Sequence, residues 1–348
     1  MYELSKLGYQ SNSENVRSDS KHEIGRIATH SNGIYKILSV KGEFQSELSG
    51  KFYYRTEVAR DFPCVGDWVL FEPLYGEGKG IIYKVLERKS LLSRHVAGVR
   101  QEEQLMAANV DIVFLVNGLN EFNLRRMERY LIQVYESGAM PVFILTKRDL
   151  CEDVASKVKA VEEIAWGVPI IVMDTRSDSM EPILELIATG RTGALIGSSG
   201  VGKSTLINRL LGNDVQKTQG IREVDAKGRH TTTHRELFLL PDGGVIIDTP
   251  GMRELQLWSG DESASETFQD IITLSTNCRF RDCRHEREPG CAIKEAMENK
   301  QLSMERYASY QKLQREMKFL DLKDKYGTHK ATRIQVKEWR KKSKGFGE

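Results

Sequence analysis

The chain has 348 residues, is 40% apolar and 29% charged, and carries 51 Lys+Arg against 49 Asp+Glu. That length predicts two or three domains, the apolar share suffices for sizeable cores, and the near balance of charge excludes a wholly basic or wholly acidic protein. No uncharged run approaches the roughly 18 residues of a membrane helix, and residues 1–20 lack the apolar core of a signal peptide, so the expected location is the cytoplasm.

Residues 1–21 are polar, rich in Ser and Asn, and read as a disordered tail. From Ile24 to Ser93 the segments IGRIATHSNGIYKIL, EFQSELSGKFYY, GDWVLFEP and GIIYKVLERKSLL alternate apolar residues between glycine-containing turns. Four or five short strands over such a span predict a small closed barrel, SH3-like or OB. After Gln101 the pattern changes to near-continuous apolar runs: VDIVFLV (110–116), PVFILT (141–146), VPIIVM (168–173), GALIG (193–197), ELFLLP (236–241) and GVIID (244–248). Helical spacings near 124–138, 153–165, 180–188 and 203–212 fall between them, which predicts an α/β domain with a parallel sheet covered on both faces. Beyond Ser265 the chain reads as helical, with an amphipathic helix over Ser303–Leu320. From Asp321 to Glu348 nine Lys/Arg stand against four Asp/Glu, and Trp339 lies among Arg340, Lys341, Lys342 and Lys344. Such a tail can follow a phosphate backbone and stack on a base, which makes it an RNA-binding candidate.

Three motifs point to a nucleoside triphosphatase. Gly197-Ser198-Ser199-Gly200-Val201-Gly202-Lys203-Ser204, followed by Thr205, matches G-x-x-x-x-G-K-[ST] between an apolar strand and a helix. Glycines let backbone N–H groups close round phosphates, Lys203 is placed to reach the β/γ-phosphates, and the Ser204 hydroxyl to ligate Mg²⁺. Asp248-Thr-Pro-Gly251 ends the strand GVIID, where the carboxylate can hold Mg²⁺ and the Gly251 N–H can meet a γ-phosphate. Between the two stands the cluster Thr231, Thr232, Thr233. Thr232 and Thr233 are the candidates for a hydroxyl that closes on the metal, as in a switch segment.

Thr146-Lys147-Arg148-Asp149 ends the strand PVFILT and has the form [NT]-K-x-D, with Thr where Asn is commoner. An aspartate there accepts two hydrogen bonds from guanine, a donor pair adenine lacks, while the lysine stem packs on the ring; strand ends are where open α/β sheets place ligands. This base-reading motif precedes the phosphate loop, the reverse of the usual GTPase order, as in a circular permutation. Met252 follows Gly251 where many signalling GTPases carry a water-orienting glutamine, so intrinsic hydrolysis is expected to be slow. His230 is the internal candidate for that task.

Of five cysteines, Cys64 and Cys151 are scattered and read as core residues. Cys278, Cys283, His285 and Cys291 offer three thiolates and an imidazole in one short segment, the donor set of a closed structural Zn²⁺ site in a reducing compartment.

With GDWV (66–69), TKRD, GSSGVGKST, GRHTTT (228–233), DTPG and CRFRDCRHEREPGC (278–291) in this order, the chain resembles the ribosome small-subunit-dependent GTPases, the RsgA-type circularly permuted family, over about residues 22–320. The resemblance implies an OB-like barrel (22–98), a permuted GTPase domain (99–262) and a helical zinc-binding domain (263–325), flanked by the tails 1–21 and 326–348. It also implies GTP/GDP, Mg²⁺ and one Zn²⁺ as ligands. Its implied activity is GTP hydrolysis stimulated by the 30S subunit, whose late maturation it assists, with 16S rRNA and other assembly factors as partners of a monomer. The rival reading is an RNA-binding assembly scaffold with a vestigial nucleotide site, against which the intact Lys203, Ser204, Asp248 and Asp149 argue.

Overall fold

The computed structural model describes residues 2–10, 21–56, 58–95, 103–212, 235–241, 243–249, 267–286, 288–327, 330–331 and 333–334. The chain divides into two units, Met1–Gln256 and Leu257–Glu348. Among the described residues no helix is long and apolar enough to cross a membrane.

The barrel consists of β1 (Glu23–Ser31), β2 (Ile34–Ser39), β3 (Gly42–Leu48), β4 (Trp68–Leu74) and β5 (Lys79–Val85). It runs β1-β2-β3-β5-β4 and closes through a β1–β4 pairing; only β3 and β5 pair in parallel. Its alternating residues Ile27, Ile37, Phe44, Val69, Phe71 and Ile82 point inward and form one core. Part of a predicted strand folds differently. GKFYYR becomes the short helix α1 (Gly50–Arg55), started by Ser49, whose hydroxyl accepts from the Phe52 N–H.

The expected disordered tail is also corrected in part. Within residues 2–10, Leu7 is fully buried, and the Tyr9 ring lies 4.9 Å from that of Trp68. Tyr2 donates to Glu43 at 2.6 Å. The buried Arg26 guanidinium donates to Leu7 O, and at 3.1 Å to both Gly66 O and Asn109 O. These carbonyls meet the donors of the buried cation, which offsets the cost of taking its charge out of water and ties the segment down. Residues 11–20 lie outside the described residues.

A hairpin of β6 (Leu91–His95) and β7 (Glu103–Ala108) leads into the second sheet region. Its strands are β8 (Ile112–Gly118), β9 (Met140–Thr146), β10 (Ile170–Val172), β11 (Thr192–Ile196), β12 (Glu236–Leu239) and β13 (Val245–Asp248). They are ordered β10-β9-β8-β11-β13-β12, and all neighbours are parallel except β12 with β13. The helices α2 (Leu124–Ser137), α3 (Val154–Ile164), α4 (Glu181–Leu186) and α5 (Lys203–Leu211) connect the parallel strands or follow β11, as the alternation predicts. The apolar runs are continuous because both faces are covered. Val113 and Leu115 of β8 join one core with Leu131 and Val134 of α2, while Phe114 and Val116 join the other with Leu206 and Ile207 of α5. Among the described residues one pair, Thr29 with Glu236, continues this sheet into β1 of the barrel.

The second unit contains α6 (Gln269–Ser275), α7 (Ala292–Glu298) and α8 (Met304–Tyr326), the last running beyond its expected end at Leu320. Phe268, Ile271, Ile293, Leu302, Tyr307 and Leu313 are buried. The buried Arg306 ties α8 to α6: it bonds Asp270 at 3.1 and 3.0 Å and Thr267 O at 2.7 Å, and lies 4.2 Å from the Phe268 ring centroid.

Candidate functional site

The parallel strands β8, β9, β10, β11 and β13 end on one side of their sheet, and Thr146–Asp149, Gly197–Thr205 and Asp248 lie at or just beyond those ends. β11 runs into the loop Gly197–Gly202. A Cβ on Gly197 would sit 2.2 Å from Val116 O, so the backbone passes too close to β8 for any side chain. Gly202 has φ +103° and packs against Thr175 before α5 begins at Lys203. Leu206, Ile207 and Leu210 bury the inner face of α5, which holds its N-terminal N–H groups toward the loop. Lys203 Nζ folds across the loop and donates to Gly197 O and Ser198 O, each at 2.7 Å. Ser199 and Gly200 are exposed, Val201 is buried, and Ser204 and Thr205 are half-buried in the first turn of α5.

Asp248 ends β13 opposite Leu195 of β11 and is buried, next to the strand that feeds the loop. Thr249 fixes this end by donating to Leu195 O at 2.7 Å. His230, Thr231, Thr232, Thr233, Gly251 and Met252 lie outside the described residues, as do residues 335–348 with Trp339.

Thr146 ends β9 with its side chain fully buried. Its hydroxyl donates to Val201 O at 2.7 Å, with Asn117 O at 3.3 Å, and so braces the Gly197–Gly202 loop from the end of β9. Thr supplies here a loop brace from a side chain shorter than the commoner Asn. Lys147 has φ 57°, a left-handed turn that swings the chain off the strand, and Arg148–Leu150 form one 3₁₀ turn with Asp149 exposed.

A neighbouring turn was not singled out from the sequence. Residues 174–178 follow β10, which lies beside β9 with Leu145 opposite Val172. Arg209 of α5 donates to Thr175 O at 3.1 Å, and Arg148 reaches Asp178 at 3.1 Å. The polar run Asp174-Thr-Arg-Ser-Asp178 directly after a buried strand was the available signal.

In the second unit the ligand atoms of Cys278, Cys283, His285 and Cys291 all lie within 4.8 Å of one another. His285 Nδ1 is 3.5 Å from Cys278 Sγ and 3.4 Å from Cys291 Sγ. A tetrahedral Zn²⁺ with bonds of about 2.3 Å to sulfur and about 2.0 Å to nitrogen sets neighbouring ligands roughly 3.5 Å apart, so donor set and spacing fit that ion. The segment is shaped by short local bonds. Glu288 accepts from the N–H groups of Arg284 and Glu286, and His285 has φ 59°. Cys291 opens α7 as its N-cap.

A glycine-rich loop after the parallel strand β11 and a T-K-x-D turn after β9, one strand away across β8 and earlier in the chain, define a circularly permuted P-loop GTPase. The comparisons agree. The family model described as RsgA GTPase matches residues 85–258. A protein of Lactiplantibacillus plantarum named small ribosomal subunit biogenesis GTPase RsgA 2 is 45% identical over 86% of this chain and 84% of its own length. The crystal structure of YjeQ from Thermotoga maritima is similar with a TM-score of 0.62 and 29% identity, over 84% of this chain and 97% of that one. The structure of YloQ, described as a circularly permuted GTPase, is similar with a TM-score of 0.59 and 25% identity, over 88% of this chain and 97% of that one. The chain belongs to the RsgA GTPase family, and it is a GTP hydrolase.

Proposed function

We propose that this GTPase acts in biogenesis of the small ribosomal subunit. It binds the 30S particle and its 16S rRNA late in maturation, works beside other assembly factors as a cytoplasmic monomer, and hydrolyses GTP to GDP and phosphate under the subunit's stimulation. The observation that carries this reading is the likeness to relatives named for that task, such as the L. plantarum protein at 45% identity over 86% of the chain. Three functional domains follow from it: the barrel 22–98, the GTPase domain 99–262 and the zinc domain 263–325.

In this reading Gly197–Thr205 cradles the phosphates with backbone N–H groups, and Lys203 neutralises charge developing on the γ-phosphoryl oxygens. Ser204 and Asp248 offer the hard oxygen donors that suit Mg²⁺, with Thr232 or Thr233 as a further donor; when bound, the ion offsets charge on the β- and γ-oxygens. Gly251 meets the γ-phosphate, and His230 orients the attacking water when the subunit is bound. Asp149 accepts from guanine, Lys147 packs on the ring, and Thr146 braces the loop. Cys278, Cys283, His285 and Cys291 hold one structural Zn²⁺ with no open position for a substrate.

Co-sedimentation with purified small subunits tests the reading. The protein is expected to pellet with a non-hydrolysable GTP analogue and to be released with GDP. Equal recovery in both states, or none in either, contradicts it.

A further inference from the structure

The two turns at the base end are joined at one point. Arg148 Nη2 lies 3.2 and 3.1 Å from the two carboxylate oxygens of Asp178. Arg148 is also the chain neighbour of Asp149, whose carboxylate has no hydrogen bond or ion pair among the described residues. A guanidinium paired with Asp149 would occupy the same oxygens that a guanine needs, since Arg and the guanine edge both present paired N–H donors. Asp178 is well placed to hold that competitor. Its Oδ2 accepts from the Asp174 N–H at 2.9 Å, and its own N–H donates to Asp174 O at 3.1 Å. Asp174 in turn accepts from the Arg176 N–H at 2.9 Å and from Ser177 Oγ at 3.0 Å. Arg209 anchors the turn to α5 through Thr175 O. The rim is therefore built from the Asp178 side, and Arg148, the more exposed partner, is the one drawn over.

We infer that Asp178 is a positioning residue for guanine recognition: it draws Arg148 away from Asp149 and keeps the base-reading carboxylate open. The inference rests on the proposed reading of Asp149 as the guanine acceptor. Asp178→Asn retains an oxygen for the Asp174 N–H and removes the charge that holds Arg148.

The test is displacement of a fluorescent GDP from the full chain by GTP, GDP and ITP; inosine lacks the 2-amino donor, so it gains less from Asp149. In Asp178→Asn the Kd for GTP and GDP is expected to rise about fivefold, the size of effect of a partly exposed ion pair. The preference for GTP over ITP should narrow by about threefold, with the thermal midpoint unchanged. Adding Arg148→Ala to Asp178→Asn removes the competitor and should return the GTP:ITP ratio to within about twofold of the wild type. A wild-type ratio in Asp178→Asn overturns the inference. So does a double variant no better than the single, or a lowered midpoint that the second substitution does not rescue, since a merely structural turn behaves that way. Asp149→Asn separates the two readings. If it shifts preference toward XTP while Asp178→Asn behaves as wild type, only the role of Asp178 fails; if Asp149→Asn leaves base preference unchanged, the reading of Asp149 fails with it.

Discussion

At the nucleotide end, loops leave strands such as β11 and β13 that are buried throughout, and the side chains of Thr146 and Thr249 tie the loop after β11 to the end of β9 and the end of β13 to β11, each at 2.7 Å. At the Cys/His cluster the ligands come from turns between short helices, only Cys291 among them is buried, and the bonds that shape the segment span a few residues. The first arrangement is set by apolar packing before any ligand arrives, whereas the second brings thiols together with little else to hold them. A metal site of that kind contributes to folding, while a nucleotide loop of the first kind does not depend on its ligand for its shape.

The sharpest way to break this contrast is to remove the Zn²⁺ proposed for the cluster. A structural Zn²⁺ is worth about 10–16 kcal/mol of apparent binding free energy. Chelation or Cys283→Ala should therefore abolish protease resistance of the 257–348 unit and weaken subunit binding, while GTP affinity stays within about twofold. Protein free of metal by elemental analysis yet fully folded would sink the account of the cluster.

Next in size is Lys203→Ala. Loss of one charge-stabilising group typically costs about 10²–10³ in rate, and subunit-stimulated turnover should fall accordingly without a change in thermal midpoint. A variant that also melts early means the loop, like the cluster, is held together by its functional residue. A smaller effect is expected from Thr146→Val, which leaves Val201 O without its donor. The cost of about 1–2 kcal/mol should appear as a weaker GTP Kd at unchanged turnover, measured by equilibrium titration and single-turnover kinetics.

The smallest effect concerns a flaw in the apolar packing that the contrast relies on. Among the described residues both Glu136 carboxylate oxygens on α2 lack partners, and burial raises its pKa from 4.5 to about 7. The unfolded chain releases this proton near pH 4.5 and the folded chain near pH 7, so folding binds a proton between those values and stability falls as pH rises through the window. Glu136→Gln should raise the thermal midpoint at pH 8 and leave it unchanged at pH 4.

Much of the nucleotide end was legible in the sequence because burial on both faces of a parallel strand writes itself as an unbroken apolar run, and the motifs sit where those runs stop. The Cys/His cluster was legible from the density of its donors. What was hidden depends on partners far apart in the chain. Residues 2–10 read as a polar tail because Leu7 and Tyr9 find their sites only against Arg26 and Trp68. GKFYY alternates like a strand, but the Ser49 cap turns it into a helix. The turn at 174–178 has no motif of its own, and its place at the base end emerges only from the pairing of β9 with β10 and the reach of Arg148 across thirty residues.

The central claim is that this chain hydrolyses GTP as a servant of the small ribosomal subunit, and phosphate release measured with and without purified small subunits tests it most directly. Turnover of GTP should be slow alone and rise by at least about tenfold, about 1.4 kcal/mol of barrier, when subunits are added, with no comparable rise for ATP or with large subunits. A rate indifferent to small subunits, or stimulated equally with ATP, contradicts the account.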